Sequence, residues 1–260
     1  MPMDSGKRLR VAAQTITWGE SIGEDMPQIC QALHRLGYEG VEIGVRHFNL
    51  ARPEYYAALF AEHNLAPVAV HTGGTFWDPA QAEREVRQLS DAIAFAQAVG
   101  FRYFALSGNK DETPESMVQA AASYDRLGGQ CREAGLQLVY HNHDWELAND
   151  GATLRVLLDK TTPENVHLLP DIAWLYRAGV NAAAFLRDHA ARIAYVHLKD
   201  SMSGEFCELG QGNLPLEDIL NTVNSLPVGW IVVEQDTTAR TPEESLALSA
   251  DYLKQRGLIA

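Results

Sequence analysis

Eight times along a chain of 260 residues, a short β-branched or apolar run is followed by a longer amphipathic stretch. This alternation constrains the fold more than any other feature. Parallel strands cannot be joined by tight turns and need crossovers, usually helical, so repeated strand–helix pairs specify a parallel sheet with helices on its faces. Predicted strands cover Val11–Thr17, Gly40–Val45, Pro67–His71, Tyr103–Leu106, Leu136–His141, Val166–Leu169, Ile193–His197 and Trp230–Glu234. The helices between and after them are expected at Pro27–Leu36, Pro53–His63, Pro79–Val99, Pro114–Ala134, Thr153–Leu158, Ala182–His189, Leu216–Val223 and Pro242–Gln255. Proline near helix starts, with Gly37, Gly100 and Gly135 just beyond helix ends, punctuates the pattern. Eight such units in about 250 residues predict an α/β fold, a single (β/α)8 TIM barrel. It is expected to span residues 1–260, with 1–10 as a flexible tail. A doubly wound open sheet would want a glycine-rich turn after its first strand, where this chain has Thr17-Trp18-Gly19-Glu20.

Composition narrows the function classes. The formal net charge is −13, and the only basic cluster is Lys7, Arg8 and Arg10, so neither nucleic acid nor an anionic membrane is an expected partner. Apolar residues make up 46% of the chain, yet no run of them is long enough to span a bilayer. Cys30, Cys131 and Cys207 are odd in number and widely spaced, as in a reduced cytoplasmic protein. The N-terminus carries no signal-peptide pattern.

Chemistry on such a barrel belongs at the C-terminal ends of the strands. Ionisable residues crowd there: Glu42 in strand two, His71 ending strand three, and His141, His143 and Glu146 at and after strand five. Asp171 follows strand six, His197 and Lys199 close strand seven, and Glu234 ends strand eight. Glu146, Asp171, His197 and Glu234 stand 25, 26 and 37 residues apart, each about one strand–helix unit. Gathered without a counter-charge, three carboxylates would repel and raise one another's pKa values. One divalent cation satisfies them together; a single imidazole among oxygens favours Mn²⁺, with Mg²⁺, Co²⁺ and Zn²⁺ as alternatives.

The segments His141-Asn-His-Asp-Trp-Glu146, Asp171-Ile-Ala-Trp174, His197-Leu-Lys-Asp200 and Glu234-Gln-Asp236 carry a family likeness. In that order, at those strand ends, they resemble the sugar phosphate isomerase/epimerase superfamily with its xylose isomerase-like TIM barrel. Gly204–Asn213 resembles that family's loop after strand seven. The resemblance implies that Glu146, Asp171, His197 and Glu234 hold one divalent metal, with Glu146 and Glu234 also acting as the acid/base pair. Many members place a glutamate directly at the end of strand five, where this chain has His141. Either Glu146 reaches back from the loop or His141 or His143 replaces it, and Glu146 is the expected ligand.

The implied reaction is removal of a proton next to a metal-polarised carbonyl, giving an enediolate. Returning the proton epimerises or isomerises a keto sugar or related polyol. Expelling a β-oxygen instead makes the enzyme a lyase or dehydratase on an inosose or 3-keto-glycoside. His143 is a candidate proton donor, and Glu42, His71, His141, Trp174 and Lys199 are candidate substrate-binding residues. The expected partner is a small, non-phosphorylated carbohydrate, and a homo-oligomer is allowed. Asp171, after Pro170, also reads as a helix N-cap. Two other classes compete: a metal-dependent endonuclease, disfavoured by the acidic charge, and a non-catalytic sugar-binding barrel.

Overall fold

The computed structural model describes residues 8–260. Its elements run β1 (Arg10–Gln14), α1 (Ile22–Leu36), β2 (Gly40–Gly44), α2 (Pro53–Glu62), β3 (Ala66–Thr72), α3 (Pro79–Val99), β4 (Tyr103–Ser107) and α4 (Pro114–Glu133). They continue with β5 (Gln137–His141), α5 (Ala148–Lys160), β6 (Val166–Leu169), α6 (Ile172–Arg177), α7 (Ala182–Asp188) and β7 (Val196–Leu198). Last come β8 (Asp200–Met202), β9 (Glu205–Cys207), α8 (Leu216–Ser225), β10 (Trp230–Val233) and α9 (Pro242–Lys254). Eight strands form one parallel sheet in the order β6-β5-β4-β3-β2-β1-β10-β7. The ends of that order meet. The Leu168 N–H donates to the Arg192 carbonyl at 2.7 Å, and the His197 N–H donates to the Pro170 carbonyl at 3.0 Å. With single bridges at Leu168–Ile193 and Asp171–His197, these bonds close the sheet into the expected TIM barrel.

Alternation along the strands divides the apolar residues into two layers. Ala12, Ala69, Ala105, Val139 and Val232 fill the barrel with Tyr103, Tyr195 and Trp230, whereas Val11, Ala13, Val70, Phe104 and Leu138 pack against the helices. Small residues at the middle of the barrel leave its mouth free for long polar side chains.

Several sequence boundaries shift. Of the expected tail, residues 1–7 lie outside the described residues, but Leu9 is buried and Arg10 opens β1. β1 stops at Gln14, and α1 starts at Ile22 with Pro27 inside it rather than at its head. Gly23 permits that early start, because a Cβ there would sit 3.1 Å from the His47 carbonyl oxygen. α6 begins directly after Asp171 and was not expected, and the hairpin β8–β9 departs from the rim after β7. α3 and β6 match their expected spans. Among the described residues no helix is long and apolar enough to cross a membrane.

Candidate active site

Strand ends deliver polar side chains into a cavity of 370 Å³ at the barrel mouth. His141 and Glu234 line the cavity, and with Asp171 and His197, which lie behind the lining, they form its floor: donor atoms of the four all lie within 4.8 Å of one another, and all four residues are buried. The His197 Nδ1 is 2.9 Å from Glu234 Oε2 and 4.0 Å from Asp171 Oδ2. The His141 Nε2 is 3.4 Å from Asp171 Oδ2 and 3.6 Å from Glu234 Oε2. Donors around one ion at about 2.1 Å stand roughly 3–3.5 Å apart, so two imidazoles and two carboxylates fit a divalent cation. Their electrostatics agree. Burial opposes charge on both rings, yet the carboxylates win: His141 is raised, and Glu42 with Glu234 lifts His197 to about 10. The floor favours positive charge.

Asp171 uses its two oxygens for two tasks. Oδ1 accepts the Trp174 N–H at 3.0 Å and caps α6, which fixes the side chain, while Oδ2 faces His141 and Lys199. Asn142 Oδ1 accepts the Asp171 N–H at 3.1 Å, tying the end of β5 to the same corner. The helix-cap reading of Asp171 describes its geometry, and its other oxygen stands in the four-donor group where the expected ligand would lie.

Glu146 departs from expectation. It sits in a short turn after β5, where its Oε1 accepts the Tyr140 hydroxyl at 3.1 Å and its Oε2 accepts the His143 N–H at 2.8 Å. In this arrangement Glu146 lies outside the four-donor set. His141, at the strand end itself, takes that place. Tyr140 also donates to Glu112 Oε2 at 3.2 Å, and Tyr124 donates to Glu112 Oε1 at 2.6 Å. Burial, with Glu146 nearby, raises Glu112 to about 7.

Two residues expected to contact substrate are buried and absent from the cavity lining. Glu42 is fully buried and accepts from Tyr195 at 2.6 Å, with His71 Nδ1 at 2.7 Å and His197 Nε2 at 3.1 Å. Burial would raise it, but the His197 charge and the bonds from His197 and His71 bring it down to about 2. Lys199 is likewise fully buried, with Nζ 3.0 Å from Asp171, 2.9 Å from Glu234 and 2.6 Å from Asp236. Burial disfavours its charge, but those three carboxylates raise its pKa. It is an internal counter-ion beneath the cavity. Trp174 stands behind the wall, its ring centroid 5.2 Å from that of His143 and 5.0 Å from that of Phe206.

His71, His141 and His143 do line the cavity. Burial lowers His143, which favours the neutral imidazole; its Nδ1 is buried 3.7 Å from Glu146 Oε1, and the ring lines the cavity. Gln14, Ser107, Arg46 and His47 also line it, and sequence reading assigned none of them a role. Position at a strand end was the available signal for Gln14 and Ser107; extending the first strand to Thr17 hid it. Gly210 and Gly212 spend their N–H groups on Asp200 Oδ2, each at 3.0 Å, which leaves no cradle there for a phosphate.

The sequence model of the xylose isomerase-like TIM barrel matches residues 19–256. An inosose dehydratase of Geobacillus kaustophilus is 24% identical, the match covering 94% of this chain and 93% of that protein. Among solved structures, an L-ribulose 3-epimerase superposes with a TM-score of 0.79 at 18% identity, over 96% of this chain and 94% of that one. The IOLI protein, solved with a bound zinc atom, superposes with a TM-score of 0.76 at 15% identity, over 95% and 97%.

Proposed function

The chain belongs to the xylose isomerase-like TIM barrel family, and from that membership and the mouth geometry we propose a divalent-metal-dependent isomerase or epimerase of a ketone-bearing sugar or polyol. One observation carries the reading: two imidazoles and two carboxylates converge within 4.8 Å on the floor of a cavity whose wall presents a neutral histidine. His141, Asp171, His197 and Glu234 hold the ion. Two imidazoles rather than one bring Zn²⁺ level with Mn²⁺ as the occupant. When bound, such an ion supplies the positive charge that polarises a ketone and acidifies the neighbouring C–H.

His143, whose ring lines the cavity and is kept neutral by burial, takes the proton at Nε2, its Nδ1 being buried 3.7 Å from Glu146 Oε1. The Glu146 expected for that task is turned away, and Glu234, held by Lys199 and His197, is too weak a base. Lys199 keeps Asp171 and Glu234 aligned from below, and His71 and Gln14 present hydrogen-bonding groups to substrate hydroxyls. A dehydratase is the second reading, favoured by the inosose dehydratase relative that matches nearly the whole chain. Both share the proton-removal step. Three free thiols suit a reducing, cytoplasmic setting.

The test incubates Mn²⁺- or Zn²⁺-loaded protein in D₂O with L-ribulose or an inosose. Deuterium should enter the carbon beside the ketone, stop on chelation, and be lost in His143→Ala. Loss of water alongside exchange selects the dehydratase. Equal exchange after chelation contradicts metal dependence, and metal-loaded protein that binds either sugar without exchange supports a non-catalytic barrel.

A further inference from the structure

We propose that Glu42 is a positioning residue that sets which nitrogen of His197 faces the ion, an inference resting on the reading that the four-donor floor holds one. The His197 ring lies between two carboxylate groups. Nδ1 meets Glu234 Oε2 at 2.9 Å, on the side of Asp171 and His141, while Nε2 lies 3.1 Å from each oxygen of Glu42. An ionised carboxylate only accepts hydrogen bonds. The Nε2 therefore donates to Glu42; Nδ1, facing Glu234, carries a hydrogen by the same rule, and an ion on the floor would replace that hydrogen while the Nε2–H bond to Glu42 holds the ring. A histidine ligand whose second nitrogen donates to a carboxylate is fixed in tautomer and orientation, and its basicity rises.

Glu42 is itself braced. Tyr195 donates to Oε2 at 2.6 Å, and His71 Nδ1 lies 2.7 Å from Oε1. The other His71 nitrogen lies 2.6 Å from Ser107 Oγ. Because Glu42 accepts at both ends, His71 carries its hydrogen on Nδ1, and Ser107 donates to Nε2. Four strand ends are thereby linked from the cavity wall to the metal-side histidine.

Glu42, His71 and His197 are also near enough to one another to be ligands of a second ion. Their hydrogen bonding decides otherwise. Both oxygens of Glu42 and both nitrogens of His71 already have partners, so none offers a free lone pair aimed at common space. The assignment is an outer shell around one ion.

Titration of metal-stripped protein with Mn²⁺, read by calorimetry, tests this with Glu42→Gln and Glu42→Ala beside Ser107→Ala and Tyr195→Phe. The two Glu42 variants should bind more weakly, by about tenfold for Gln and about a hundredfold for Ala. Ser107→Ala and Tyr195→Phe, which leave the His197 contact intact, should stay near wild type. Co²⁺-loaded Glu42→Gln should show displaced visible absorption bands, a change that general loosening of packing would not produce. Thermal melts in EDTA confirm folding of each variant. Unchanged Mn²⁺ affinity and Co²⁺ spectrum in Glu42→Gln would overturn the proposal while leaving the floor site standing. Two ions per wild-type chain, one lost in Glu42→Gln, would make Glu42 a ligand and overturn it as well. No binding by wild type removes the functional reading and this inference together.

Discussion

Two buried carboxylate clusters lie side by side in this barrel and solve the same electrostatic problem in opposite ways. On the floor of the mouth, Asp171, Glu234 and Asp236 surround Lys199, and the two imidazoles stand over the first two carboxylates. Beside β4 and β5, Glu112 and Glu146 share the hydroxyl of Tyr140. The first cluster lowers its inner carboxylates: burial opposes it, but Lys199 pulls Asp171 and Glu234 down. In the second, burial raises Glu112 to about 7. Carboxylates set among cationic side chains keep their charge, whereas burial beside tyrosine hydroxyls and a second carboxylate pushes Glu112 towards its neutral form. Charge spacing along the chain does not separate the two, because Glu146 and Asp171 both follow strand ends.

The sharpest way to break this contrast is to remove a floor carboxylate. Asp171→Ala takes away a proposed ligand, the cap of α6 and one of the three carboxylates around Lys199, leaving Glu234 and Asp236 to face its charge, at a cost of about 3 kcal/mol for weakening a buried ion-pair network. Its melting temperature should fall steeply and metal binding should vanish; a variant that melts like wild type and still binds Mn²⁺ would erase the distinction. Crowding the other cluster should cost less. A Cβ at Gly108 would stand 2.0 Å from the Tyr140 hydroxyl and 2.2 Å from Glu146 Oε1, so Gly108→Ala should lose about 1–3 kcal/mol in chemical denaturation. Metal affinity there should persist.

A third expectation concerns pH. Glu112 has a folded pKa of about 7 against an ordinary 4.5, so its stabilising contribution is complete below pH 4.5 and is lost as pH rises through 7. Glu112→Gln keeps the uncharged shape without that loss. Its stability relative to wild type should therefore improve between pH 5 and pH 8, by up to about 3 kcal/mol. A difference independent of pH would mean that Glu112 is ionised throughout.

Much of the molecule was legible in the sequence, and its misreadings share a cause. The barrel follows from eight alternating segments, and α3 and β6 from unambiguous helical and apolar runs. Asp171, His197 and Glu234 follow from their positions at strand ends. Glu146 was expected among the donors because a family pattern and a spacing argument both wanted a carboxylate after β5, whereas its side chain lies against Tyr140 and the His143 N–H. His143 accepts no detour: its own N–H holds Glu146 in place. Glu42 and Lys199 were read as substrate contacts because sequence marks an ionisable residue at a rim but not its depth. Partners such as Tyr195 and Asp236, distant along the chain, set that depth.

The replacement of Glu146 by His141 is the claim most open to direct measurement. Elemental mass spectrometry should be run on wild type, His141→Ala and Glu146→Gln, each loaded with Mn²⁺ or Zn²⁺ and desalted. The account predicts about one ion per chain in wild type and Glu146→Gln and a marked loss in His141→Ala, as for a lost first ligand. Retention by His141→Ala with loss in Glu146→Gln would contradict it and restore the glutamate as the strand-five ligand.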